Sequence, residues 1–227
     1  MDLQAIIFDM DGVIVDTEFV DYQIQTEFVR EENAAHGAPD SADALDTTGL
    51  LGSSYDALYR KLNELTGEVC PVEETKVRFE AFDAAKRANI DYARLFRPVT
   101  RDILNWAHEH HIKTAVASSS TREHIVEVLL ACGIFGYFDV IESGEGLHES
   151  KPNPEIYLNA LRELGVTADH TLAIEDSAHG IAAAKAAGVY CIGYRETRVP
   201  IDQSAADELA DDMPAALQDI KRLARTH

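Results

Sequence analysis

The chain has 227 residues, 46% of them hydrophobic, enough to bury a large α/β core and too apolar for disorder. Its 20 Lys and Arg stand against 40 Asp and Glu, a formal charge of −20. That balance excludes nucleic acid and an anionic membrane surface as expected partners, but leaves room for a small anionic substrate at a locally positive site.

The chain starts MDLQ and runs straight into Ala5-Ile6-Ile7-Phe8, with no basic stretch or cleavage pattern. No apolar run approaches the roughly 18 residues that span a bilayer. A cytoplasmic protein is expected. The three cysteines, Cys70, Cys132 and Cys191, are widely spaced and odd in number, as expected of free thiols in a reducing compartment.

AIIF reads as a buried strand, and Asp9 and Asp11 follow it directly. Carboxylates this close repel one another, and at the end of a buried strand they are costly unless a cation compensates them. From 17 to 97 the pattern is helical, in TEFVDYQIQTEFVREENAAHG, SYDALYRKLNELTG and PVEETKVRFEAFDAAKRA, with no convincing strand. Here Tyr55, Tyr59 and Leu62 fall at helical spacing and read as core, while Asp21 and Gln25 are candidates to face a substrate. Linkers are expected near Val15–Thr17 and Leu95–Pro98.

Strands and helices then alternate. KTAVAS (113–118), DVI (139–141), TLAIE (171–175) and VYCIG (189–193) read as buried parallel strands. TREHIVEVLLACG starts on a Thr cap and stops at Gly133; NPEIYLNALRELG stops at Gly165; SAHGIAAAKAAG runs from Ser177 to Gly188. His108, His110 and His111 in WAHEHHIK read as a solvated helix end. This alternation predicts a doubly wound parallel sheet, a Rossmann-like core at 1–16 and 98–227, with an inserted all-helical cap domain at 17–97.

Ligands of such sheets lie at the carboxyl ends of the strands. There the sequence places Asp9 and Asp11, then Ser118, Ser119 and Ser120, then Glu175 and Asp176, with Lys151 in the loop SKPNP. Any one of these is a common turn or cap; together they converge on one crevice. The chemistry they share is phosphoryl transfer. Asp9, Asp176 and Glu175 suit Mg²⁺, a hard cation that takes oxygen ligands. A carboxylate can attack phosphorus and a second one can move the proton. Ser hydroxyls and a lysine suit phosphate oxygens.

With FDMDGVIVDTE, VASSS, SKPNPEIY and AIEDSAHGIAAAKAAG in this order, the chain resembles the haloacid dehalogenase-like hydrolase superfamily. It looks like the branch with a small helical cap, which includes sugar-phosphate phosphatases and β-phosphoglucomutases. The resemblance implies that Asp9 is nucleophile and metal ligand, and that Asp11 is general acid/base with its carbonyl on the metal. It implies that Ser118 and Lys151 hold the transferring phosphoryl group with Ser119 beside them, that Asp176 ligates Mg²⁺, and that Glu175 ligates it or supports it. It also implies a cap that closes to exclude water.

The mutase branch carries a His where this chain has Asp21, and an Arg in a cap loop that here reads GLLGSSYDAL (49–58). These departures favour a phosphatase. A Mg²⁺-dependent phosphatase for a small phosphorylated metabolite, monomeric, is therefore expected. A β-phosphoglucomutase-type enzyme is the alternative. A haloalkanoate dehalogenase does not need Asp11, and a phospho-acceptor signalling or binding domain does not need the cap.

Overall fold

The computed structural model describes residues 1–37, 50, 55–198 and 201–224. The chain divides into two compact units, Met1–Asp16 with Tyr92–His227, and Thr17–Asp91.

The first unit is an α/β layer structure around six parallel strands: β1 (Ala5–Phe8), β2 (Lys113–Ser118), β3 (Val140–Ser143), β4 (Thr171–Glu175), β5 (Tyr190–Tyr194) and β6 (Glu208–Ala210). Their order is β3-β2-β1-β4-β5-β6. β1 is central because all four of its residues are fully buried, as a strand covered on both faces requires. Phe8 aligns with Val116 of β2 on one side and with Ile174 of β4 on the other. One residue further along each strand, Asp9, Ala117 and Glu175 therefore stand level. β6 went unforeseen: a three-residue strand flanked by acids, DELADD, leaves no apolar run to read.

The helices of this unit are the ones the caps announce. Thr121 accepts the His124 amide at 3.4 Å and opens the helix Arg122–Ala131, and Ser177 accepts the Gly180 amide at 3.0 Å and opens Ala178–Ala186. The helix Glu155–Leu164 ends on Gly165 at φ 67°, a left-handed conformation that glycine adopts without a Cβ clash. Ile156, Tyr157, Ala160, Ile181, Ala183 and Ala184 from these helices pack on Ile7, Ala115 and Ala173 of the sheet. Cys132 and Cys191 are buried free thiols and Cys70 is half-buried.

The second unit is helical among its described residues, with α1 (Glu18–Ala35), α2 (Tyr55–Leu65) and α3 (Val72–Arg87). It closes at Asp91, earlier than the limit of 97 expected, because Tyr92 is buried in the first unit, its ring set edge-on against His124 and its carbonyl met by the Cys132 thiol. Ile24, Phe28, Val29, Leu58, Tyr59, Leu62 and Phe79 form the helical unit's core. Phe28 meets Phe79 and Phe82 edge-to-face at 5.3 and 5.6 Å between centroids. Tyr55, expected inside, is exposed and stacks on Tyr59. The loop from which a missing Arg was read lies outside the described residues at 49 and 51–54. Among the described residues no helix is long and apolar enough to cross a membrane.

Phe28→Ala is expected to destabilise the helical unit by about 3–5 kcal/mol, the usual cost of emptying a packed aromatic site. Urea denaturation followed by circular dichroism checks this, and a loss below about 1 kcal/mol would contradict the packing described.

Candidate active site

The site is built where β1 and β4 end. Asp9 continues β1, its amide donating to the Ile174 carbonyl at 3.0 Å, and its side chain is buried. Glu175, the last residue of β4, is fully buried, and Asp176 after it is almost so. Asp9, Glu175 and Asp176 each offer a carboxylate oxygen, and these oxygens all lie within 4.8 Å of one another.

Lys151 reaches into this cluster from the loop before the helix Glu155–Leu164. Its Nζ donates to Asp9 Oδ1 at 2.6 Å, to Glu175 Oε1 at 2.6 Å and to the Ala117 carbonyl at 2.9 Å. An ammonium has three N–H donors, so each is accounted for. Burial alone pulls the Lys151 pKa down, but the attraction of Asp9 and then Glu175 outweighs it and holds the pKa above the ordinary lysine value. The Asp9 pKa is raised as well. Burial is the largest influence and pushes its carboxyl well above the usual range; Lys151 opposes this, while Glu175 and Asp11 add to it.

Asp11 is half-buried in the turn after Asp9, where Gly12 adopts φ 80° to reverse the chain. The Ser120 hydroxyl donates to Asp11 Oδ2 at 3.2 Å. Ser118, buried at the end of β2, accepts the Ser120 amide on its Oγ at 3.1 Å, and the Ser143 hydroxyl donates to the Ser120 carbonyl at 2.6 Å. Ser119 is exposed. Of the three serines, Ser118 is thus the buried one and Ser120 the one that touches an acid.

Several residues that support the site escaped the sequence reading. Arg97 donates to the Gly12 carbonyl at 3.1 Å, to Asp16 Oδ1 at 2.9 Å and to the Tyr194 hydroxyl at 2.8 Å, holding the turn that carries Asp11. It lies where the two expected linkers run side by side: the Asp16 amide donates to the Leu95 carbonyl at 2.8 Å, and the Arg97 amide to the Ile14 carbonyl at 3.0 Å. Gln203 donates to the Asp176 and Tyr194 carbonyls, both at 2.6 Å, and so fixes the backbone behind Asp176. Gly180 gives the Glu175 carboxylate its room, because a Cβ there would sit 2.0 Å from both oxygens. The Tyr157 hydroxyl donates to Glu175 Oε1 at 2.8 Å. The glycine inside the apolar run of AHGIAAAKA was the one readable signal among these.

The chemistry of this donor set is uniform. Asp9, Glu175 and Asp176 supply only oxygen, they are buried, and the one ammonium among them leaves an excess of negative charge. That fits a hard divalent cation.

A family model for haloacid dehalogenase-like hydrolases matches residues 6–194. The YhcW protein of Bacillus subtilis (strain 168), whose phosphatase name is provisional, is 37% identical over 193 residues, covering 84% of this chain and 82% of its own. A phosphorylated carbohydrates phosphatase of Thermotoga maritima is 30% identical over 196 residues, 82% of each chain. Among solved structures, a β-phosphoglucomutase of Clostridium difficile superposes with a TM-score of 0.73 at 25% identity, covering 98% of this chain and all of that one. The acids and the lysine described above lie within the matched residues 6–194, and the chain is an enzyme of the haloacid dehalogenase-like hydrolase family.

Proposed function

We propose that this enzyme is a Mg²⁺-dependent phosphatase that hydrolyses a small organic phosphate monoester, a sugar phosphate, through an aspartyl phosphate at Asp9. The observation that carries the reading is the buried constellation of Asp9, Glu175, Asp176 and Lys151 at the carboxyl edge of the sheet. The Thermotoga maritima relative, named for phosphorylated carbohydrates, supports the substrate class.

In this reading Asp9 is the nucleophile because it extends the central strand, where its amide is bonded to the Ile174 carbonyl of β4. Its carboxylate attacks phosphorus, and the ester oxygen leaves with a proton from Asp11. Asp11 then takes a proton from the water that cleaves the acyl phosphate, releasing inorganic phosphate and restoring Asp9. Ser120, bonded to Asp11, orients that carboxyl. Lys151 neutralises charge next to the nucleophile. Once Asp9 carries the phosphoryl group, its carboxylate charge is gone, and the Lys151 N–H that held it turns to a phosphoryl oxygen. The Ser118 hydroxyl binds another. Asp9, Asp176 and Glu175 are the residues that would hold Mg²⁺, which when bound withdraws charge from the phosphoryl oxygens.

A mutase reading is favoured by one observation, the likeness to the Clostridium difficile β-phosphoglucomutase. It calls for a cationic grip on the far phosphate, which an Arg fork supplies best. Asp21, at the position where that branch has a His, is instead ion-paired to Arg87 at 2.7 Å, so the guanidinium beside that position is already engaged by carboxylates, Asp83 being the other. Water is therefore the acceptor in the favoured reading.

Asp9→Asn keeps the shape and removes the nucleophilic charge. It is expected to lower turnover of p-nitrophenyl phosphate at least about a thousandfold, in line with the removal of other catalytic nucleophiles, with the fold intact by circular dichroism. Residual activity near wild type in a folded variant speaks against covalent catalysis at Asp9. Dialysis against EDTA is expected to abolish phosphate release and Mg²⁺ to restore it; full activity after chelation would remove the metal from the reading. Incubation with β-glucose 1-phosphate, Mg²⁺ and a trace of the 1,6-bisphosphate separates the two acceptors. Free phosphate is expected, and rapid formation of glucose 6-phosphate with little free phosphate would establish the mutase instead.

A further inference from the structure

We propose that Tyr157 is a positioning residue for Lys151, acting through the carboxylate of Glu175. The Tyr157 hydroxyl donates to Glu175 Oε1 at 2.8 Å, the same oxygen that accepts Lys151 Nζ at 2.6 Å. Its ring also lies beneath the ammonium, with Nζ 5.5 Å from the centroid. One side chain thus touches both members of the ion pair that holds Lys151 at Asp9.

Volume alone does not account for a tyrosine here. Tyr157 is fully buried, and burying a hydroxyl is costly unless it is hydrogen-bonded. A phenylalanine would fill the same space against Ala160 and Ile181 without that cost. The hydroxyl is instead spent on one acceptor. A carboxylate oxygen has two good acceptor directions, and on Oε1 Lys151 takes one and Tyr157 the other. Gly180 lies against the same carboxylate, and a Cβ there would come within 2.0 Å of the carboxyl carbon and both oxygens. Ser177 Oγ stands 3.4 Å from Oε2. The carboxylate is therefore fixed in rotation, and a long, flexible lysine takes its position from it.

The inference rests on the phosphatase reading, in which Lys151 meets the phosphoryl group. The test compares wild type, Tyr157→Phe, Glu175→Gln and the double variant. Binding of inorganic phosphate at saturating Mg²⁺ and binding of Mg²⁺ alone are measured by calorimetry, beside kcat and KM for p-nitrophenyl phosphate. A hydrogen bond to a charged group sets the scale. Tyr157→Phe is expected to weaken phosphate binding about tenfold and to lower kcat/KM by a similar factor, with Mg²⁺ affinity within about twofold of wild type. The double variant is expected to be no worse than Glu175→Gln, because phenylalanine keeps the ring beneath the ammonium and the hydroxyl that is lost acts through Glu175.

Unchanged phosphate affinity in Tyr157→Phe overturns the proposal. So do losses that multiply in the double variant, or a fall in Mg²⁺ affinity equal to the fall in phosphate affinity. If Tyr157→Phe fails to fold, Tyr157→Met serves, since it keeps most of the buried volume and removes the hydroxyl that meets Glu175. The same selective loss of phosphate binding supports the proposal, and normal phosphate binding overturns it. Failure of the phosphatase reading looks different: wild type binds phosphate but releases none from any monoester, and the binding comparison still decides the role of Tyr157.

Discussion

Taking an ammonium or a carboxylate out of water costs several kcal/mol for each ion, and Lys151, Asp9 and Glu175 are all buried. None of them is tolerable there alone. Lys151 is held because both carboxylates and the Ala117 carbonyl meet its three donors, and each carboxylate is held in turn because Lys151 faces it. Removing one partner from such a set typically costs about 3–5 kcal/mol, since it strands the other charge. The register of the sheet makes the set possible. β1 and β4 are neighbours aligned at Phe8 and Ile174, so the next residues, Asp9 and Glu175, emerge level and within reach of one lysine. Placing either acid one residue earlier would turn it to the opposite face of the sheet.

That ion pair neutralises only part of the local charge. Asp176 and the half-buried Asp11 add to Asp9 and Glu175, and Lys151 is one cation among them. Burial sharpens the imbalance, because repulsion between carboxylates grows as water is excluded. The proposed Mg²⁺ and the observed lysine thus answer the same electrostatic demand from two sides. They differ in what they leave free. A lysine engaged by three acceptors is a rigid point charge, whereas a divalent cation keeps positions for substrate oxygens.

The sheet and its flanking helices were legible because their causes are local. Buried strands such as AIIF and TLAIE are continuous apolar runs, and the helices begin at Thr121 or Ser177 and stop at Gly165 or Gly188 for reasons of capping and handedness. The positions of Asp9, Glu175, Asp176 and Lys151 were legible as strand ends and a following loop. Their pairing was not. Nothing in SKPNP says that Lys151 turns onto Asp9 and Glu175, because that depends on two other strands ending at the same height. Tyr157 and Gln203 were opaque for the same reason: each acts through a hydrogen bond to a distant element, and in the sequence each is an ordinary helix or loop residue. Tyr55 was misplaced because helical spacing says which residues share a face but not how far that face stays covered.

A chain of formal charge −20 that is proposed to take an anionic substrate faces an opposing field. Salt removes most of it. At physiological ionic strength, charges on the surface are largely screened beyond about 8 Å, while buried charges are screened far less. The acid excess then governs solubility, and attraction for the substrate is decided by the few desolvated groups around Asp9. Among the described residues that meet Asp9 and Glu175, Lys151 is the cation, and its worth depends on distance. A phosphoryl oxygen gains a full charge-assisted hydrogen bond at about 2.8 Å, and an ammonium displaced by even an ångström gives a much weaker contact. Position therefore matters more than charge. It is carried from the pairing of β1 with β4 to Glu175, and from Glu175 to Lys151, so a residue that touches no substrate atom can still set how strongly the site holds one.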